Sequence, residues 1–75
     1  RRPVLWTLLQ ELATAVPCDV SRDALVATAF GARRADASHR ARLRVEMARL
    51  RRLLRPFATL RATAAGFVLL PRATA

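Results

Sequence analysis

The residues best suited to chemistry in this chain are arginines that crowd residues 38–54, SHRARLRVEMARLRRLL. The apolar residues of this stretch recur at helical spacing on one narrow stripe: Leu43, Met47, Leu50 and Leu54. A helix over residues 38–54 therefore buries one face and exposes the arginines on its other faces: Arg40, Arg42, Arg44, Arg49, Arg51 and Arg52. Because guanidinium groups match phosphate oxygens and guanine edges, this surface predicts a polyanionic partner.

The side of this helix opposite the apolar stripe is predicted to carry small residues at its centre: Ala41, Val45 and Ala48, together with Arg52. Arg42 and Arg49 lie to one side of that centre, and Arg40, Arg44 and Arg51 to the other. Small residues let a helix approach base edges while flanking arginines reach the two phosphate walls of a groove. An arginine-rich helix face is also typical of a plain solvated surface, so this pattern needs support from its context.

Glu46 is the one carboxylate of residues 38–54. It could accept a hydrogen bond from a cytosine amino group, or it could pair within the helix with Arg49 at i+3 and Arg42 at i−4. We favour the intrahelical pairing.

Composition limits the remaining possibilities. Seventy-five residues suffice for one small domain, and the formal net charge is +9. With one histidine, one cysteine and five acidic residues, the sequence offers no nucleophile–base pair, metal set or glycine-rich phosphate loop, so we predict no enzyme, cofactor or metal. We expect Cys18 to be a buried or half-buried small apolar residue. No apolar run approaches the roughly 18 residues of a membrane span, and we predict a cytoplasmic protein.

Three helices and a hairpin are the predicted elements. Helix one covers Val4–Ala15, with Trp6 expected in the core, and helix two covers Arg22–Phe30 with Ser21 as its N-cap and Gly31 just beyond its end. Residues 18–20 form a short link with at most one extended rung, and residues 31–37 form a loop. Ser38 or Asp36 caps helix three.

The hairpin follows Pro56, which disfavours helical geometry in the residue before it. Its strands are Ala58–Ala62 and residues 67–70, with Gly66 taking a positive φ if the turn requires one. The predicted fold class is therefore α+β, with three helices followed by a C-terminal β-hairpin.

This order is that of a winged helix-turn-helix, and three stretches carry a resemblance to a known family: VSRDALVATAFG, VEMARLRRLL and LRATAAGFVLL. They resemble the C-terminal DNA-binding domains of OmpR/PhoB-type transcriptional regulators. The resemblance implies that helix three enters the major groove, that helix two braces it, and that the wing reaches the flanking minor groove. The four-stranded sheet that precedes helix one in that family has no counterpart here, which suggests a divergent branch.

Residue roles are implied by the same resemblance. Arg49 matches an arginine that reaches base edges, Arg51 matches a phosphate contact, and Gly66 with Phe67 matches the pair that anchors the second wing strand. The wing-tip arginine falls at Thr63, with Arg61 two residues earlier, so either could enter the minor groove. The predicted DNA-binding residues are Arg40, Arg42, Arg44, Val45, Ala48, Arg49, Arg51, Arg52, Arg61 and Thr63.

The expected function is sequence-specific binding of double-stranded DNA by a bacterial transcriptional regulator. We expect residues 1–75 to be one winged-helix domain excised from a longer regulator that carries a sensory or receiver domain elsewhere. Two alternatives remain open. One is a protein-interaction module whose 31–37 loop contacts RNA polymerase or another domain of the parent chain. The other is a basic amphipathic helix on an anionic membrane, which requires an exposed apolar stripe rather than one spent on helices one and two, and we predict no membrane partner.

Overall fold

A computed structural model describes residues 4–31 and 36–72, which fold into three helices and a small antiparallel sheet. In chain order its elements are α1 (Val4–Ala15), β1 (Val20–Ser21), α2 (Arg22–Phe30), α3 (Ala37–Leu54), β2 (Ala58–Ala62) and β3 (Gly66–Pro71). The predicted α+β class is confirmed, and the arrangement is compatible with that of a winged helix. None of the helices in these residues combines the length and apolarity that a membrane crossing needs.

The helix ends follow local chemistry. The Ser21 side chain accepts a hydrogen bond from the backbone N–H of Ala24, which caps α2 as predicted. Gly31, at φ 66°, donates its N–H to the carbonyl of Ala27 and closes the other end of α2. Asp36, and not Ser38, caps α3 by accepting a hydrogen bond from the N–H of His39 at 2.9 Å. The helix therefore begins at Ala37, one residue before the predicted start.

The sheet has the strand order β1-β3-β2, with both pairings antiparallel. Val20 lies opposite Phe67, and Leu60 lies opposite Leu69. The extended segment expected between α1 and α2 is thus a two-residue strand, Val20–Ser21, that pairs with β3. We call the β2–β3 hairpin the wing. This pairing ties the start of α2 directly to the hairpin.

Gly66 is required by a close backbone approach. Its φ is not positive, so the left-handed conformation allowed for in the turn is absent. A β carbon at position 66 would instead fall on the carbonyl oxygen of Val20 in the neighbouring strand. Glycine at this position lets β1 reach β3.

The core is formed where the predicted apolar stripes meet. Its fully buried side chains come from all three helices: Leu8, Leu12, Leu25, Val26, Leu43 and Met47. Leu60, Phe67 and Leu69 of the hairpin cover the same cluster. Leu50 is also buried and Leu54 is half-buried, which confirms the stripe predicted for α3. The apolar face of α3 is therefore occupied by its own neighbours.

Two sequence predictions were wrong. Trp6 was expected in the core, yet it is 51% exposed, because α1 packs through Leu8 and Leu12 and the neighbouring Ala13 is itself exposed. Cys18 was expected to be buried or half-buried, yet it is an exposed free thiol in the turn after α1. Residues 32–35 of the 31–37 loop lie outside the described residues, so a contact of that loop with RNA polymerase stays a prediction.

Replacing Gly66 with alanine should destabilise the fold by about 1–3 kcal/mol, the usual cost of overpacking, because the new methyl group has to displace the backbone of β1. Thermal and urea unfolding measure the loss. Ala65→Gly, in the same exposed turn, is the control and should change stability by less. A Gly66→Ala protein that unfolds together with the wild type would contradict the close approach of Val20.

The stability of the folded protein should depend on pH through the Asp36 carboxyl group. The hydrogen bond from the N–H of His39 lowers the pKa of the Asp36 carboxyl below its usual 3.8, and the positive charge of Arg40 acts in the same direction. A folded-state pKa below the unfolded one adds stability above that unfolded value, and this stability is lost as pH falls through the folded pKa.

The stability difference between the wild type and Asp36→Asn should therefore be present at neutral pH and shrink below pH 3.8. Unfolding curves across this range measure it. Ser21→Ala removes a cap that does not titrate, so its cost should stay constant. A wild-type to Asp36→Asn difference that is unchanged down to the lowest pH would refute the assignment.

Candidate nucleic-acid interface

The outward side of α3 is the most strongly charged surface among the described residues. All eight α3 residues predicted to bind DNA are exposed: Arg40, Arg42, Arg44, Val45, Ala48, Arg49, Arg51 and Arg52. Val45 is 57% exposed even though it is apolar. The structure thus brings these side chains to one solvent-facing surface, which we call the arginine face.

The two flanks of the arginine face meet different elements. Arg40, Arg44 and Arg51 line a cleft that β2 and β3 border on its other side. On the opposite flank, the guanidinium of Arg42 lies 4.8 Å from the ring centre of Phe30 in α2. This arrangement matches the two sides predicted from the helical spacing.

Glu46 neutralises part of the second flank. Its carboxylate lies 3.5 Å from Nη1 of Arg49, and its side chain is only 15% exposed, whereas that of Arg49 is 61% exposed. The predicted intrahelical pairing is confirmed for Arg49, while Arg42 packs on Phe30 instead. Within residues 4–31 and 36–72, the other five arginines of the arginine face have no acidic partner within ion-pair distance.

Arg51 has a structural contact of its own. Its Nε donates a hydrogen bond to the carbonyl oxygen of Leu60 at 3.0 Å, which fastens the last turns of α3 to β2. The residue as a whole is nevertheless exposed. Arg51 therefore positions the wing as well as adding charge.

Thr63 and Arg61, the two alternatives for a minor-groove contact, have different surroundings in the wing. The Thr63 hydroxyl donates to Oδ2 of Asp19 at 2.8 Å and accepts from the N–H of Gly66 at 2.9 Å, so it is engaged inside the turn. Arg61 is exposed on β2 and forms no ion pair with another described residue. Arg61 is consequently the wing side chain that is available to a partner.

Arg22 belongs to this surface and was missed as a site residue from the sequence. Its guanidinium lies 5.1 Å from the ring centre of Phe67, and its Nη1 approaches the carbonyl oxygen of Ala64 at 3.5 Å. The residue is half-buried and lines the same cleft as Arg40 and Arg44. Only the pairing of β1 with β3 brings the start of α2 to the wing, and neither periodicity nor the family motif indicated that pairing.

The part of the chain that the structure describes contains no cluster of three or more His, Cys, Asp or Glu side chains that could hold a metal ion. His39, the single histidine, is half-buried and stacks on Phe30 with ring centres 6.1 Å apart. Its Nδ1 lies 3.1 Å from Oδ1 of Asp36. The histidine therefore packs at the start of α3.

The chain was also compared with known proteins. No family model, curated protein or solved structure matches it.

Proposed function

We propose that this chain binds double-stranded DNA as part of a bacterial transcriptional regulator, with α3 in the major groove and the β2–β3 hairpin at the flanking minor groove or backbone. The observation that carries the proposal is the arginine face itself. It is exposed along one helix, only Arg49 of its six arginines has an acidic partner among the described residues, and the apolar stripe behind it is already buried. On this proposal the parent regulator acts in the cytoplasm, where bacterial DNA lies.

Electrostatics favours a polyanion. The sequence carries a net charge of +9, and Glu46 compensates only one of the six arginines on α3. Each phosphate that such a surface neutralises releases condensed counterions, so binding is favourable and depends steeply on salt. A uniformly charged surface gives affinity without sequence preference, and specificity has to come from the centre of the face.

The centre of the arginine face fits a groove. An α-helix with its side chains is about 10–12 Å wide, close to the roughly 12 Å of the major groove, and the 18 residues of α3 extend about 27 Å. Ala48 and Val45 are exposed there and let the backbone approach the bases. The Val45 methyl groups are suited to contact a thymine methyl, while Arg44 lies to one side of this small central patch.

The buried apolar stripe of α3 argues against membrane binding as an alternative function. Membrane binding by α3 would need the stripe of Leu43, Met47 and Leu50 at the surface, and these residues are in the core. A protein-interaction module remains distinguishable by experiment, because it has no reason to prefer one duplex sequence over another.

The proposal predicts specific and salt-dependent binding. In vitro selection from a duplex library, with the parent protein and with this chain, should yield sites bound roughly a thousandfold more tightly than random DNA. With about six phosphates neutralised, affinity should fall by about three orders of magnitude between 50 and 200 mM salt. If Arg52 contacts one phosphate, Arg52→Gln should reduce the slope of log K against log salt by about 0.9.

Ala13→Glu is the matched control, since it removes one unit of net charge from the exposed side of α1. It should leave the slope close to that of the wild type. Selection that recovers no preferred sequence, or equal effects of Arg52→Gln and Ala13→Glu, would contradict a groove-reading α3.

Arg49 provides a separate test of base contact. If it reaches a base edge after leaving Glu46, Arg49→Ala should cost about 1–3 kcal/mol on a selected site and relax preference at one base pair. Anisotropy titrations on selected and random duplexes measure both quantities. An equal loss on the two duplexes would show that Arg49 acts only through its charge.

A further inference from the structure

The cleft between α3 and the sheet is a built feature of the fold. It measures about 450 Å³ and is lined by residues from α2, α3, β2 and β3, among them Arg22, Arg40, Arg44, Arg51, Ala62 and Phe67. Four of its nine lining residues are arginines and none is acidic. Leu43, Met47 and Phe67 are core residues, so the cleft has apolar walls with positive charge along them.

No carboxylate of the described residues pairs with an arginine of the cleft. In residues 4–31 and 36–72, Glu46 pairs with Arg49 and the Asp36 carboxylate lies beside His39, and neither contact includes an arginine of the cleft. The apolar, low-dielectric walls of the cleft strengthen the electric field of its arginines, and this field raises the local concentration of anions.

Two of the four guanidinium groups are held in place before any ligand arrives. Arg22 lies against the Phe67 ring and reaches the Ala64 carbonyl, and Arg51 donates through Nε to the Leu60 carbonyl. Both anchors belong to the wing. An arginine that is fixed in this way loses less side-chain entropy when its other N–H groups bind an anion.

From this geometry we infer that the cleft binds a phosphate oxyanion, with Arg22 as a binding residue from α2 that completes the set on α3. Planar guanidinium forks match phosphate oxygens, and the cleft volume exceeds that of one phosphate and admits a short piece of sugar-phosphate backbone. That the phosphate is a phosphodiester of duplex DNA rests on the proposed function. A free phosphate or pyrophosphate presents the same chemistry.

The first arm of the test uses DNA. Arg22→Gln should weaken duplex binding about tenfold and reduce the salt slope by about 0.9, because one charge-assisted phosphate contact is lost. Arg22→Lys keeps the charge and should keep the slope, with a smaller loss of affinity. Ala13→Glu, with the same change in net charge as Arg22→Gln, should bind like the wild type.

The second arm begins with the wild-type chain, so its first measurement does not depend on how any variant folds. Titration with pyrophosphate, followed by NMR, should give saturable shifts at the amides of Ala62 and Phe67. Arg22→Gln should abolish saturation, and thermal unfolding checks that this variant is folded. Shifts that are linear and equal across the protein would show an adventitious ion only and overturn the site.

The outcomes separate the two proposals. If the wild type binds DNA but Arg22→Gln matches Ala13→Glu and pyrophosphate does not saturate, the cleft assignment fails and the proposed function stands. If no duplex is bound while pyrophosphate saturates through Arg22, the proposed function fails and the phosphate site stands with a free ligand. If the wild type binds no duplex and pyrophosphate does not saturate, both proposals are overturned.

Discussion

The burial of a single narrow stripe of α3 is the constraint on which the rest of the structure depends. A 75-residue chain has room for only a small core, and α3 contributes to it through Leu43, Met47 and Leu50, with the half-buried Leu54 packed against them. Because so few residues hold the helix, most of its circumference remains at the surface. The same packing that stabilises the fold therefore also orients the arginines outward and fixes their spacing along the helix.

The second organising contact joins two segments that lie far apart in the sequence. Antiparallel pairing of Val20 with Phe67 brings β1 beside the wing, and the glycine at position 66 is what permits that approach. The Thr63 hydroxyl extends the connection by donating to Asp19. As a result the wing is attached to the α1–α2 link as well as to α3, and the position of the hairpin relative to the arginine face is set from two sides.

The sequence predicted those features that depend on local rules. Helical periodicity located the stripe of α3, a serine and a glycine marked the two ends of α2, and Pro56 preceded the hairpin. Features that depend on long-range packing were harder to predict. Trp6 proved exposed because burial of a flanking residue depends on which neighbour covers it, and Arg22 joined the cleft only through the pairing of β1 with β3. Periodicity within one helix carries neither kind of information.

The two flanks of α3 differ in a way that bears on the proposed function. On the side facing α2, Arg42 rests on Phe30 and Arg49 pairs with Glu46, so these arginines already have partners in the folded chain. On the side facing the sheet, like charges converge on one cleft and two of them are anchored to wing carbonyls. Convergence of like charges opposes folding, and a bound anion relieves that repulsion. Since the anchors are wing carbonyls, an anion in the cleft stabilises the hairpin in the same step that it attaches α3 to the ligand.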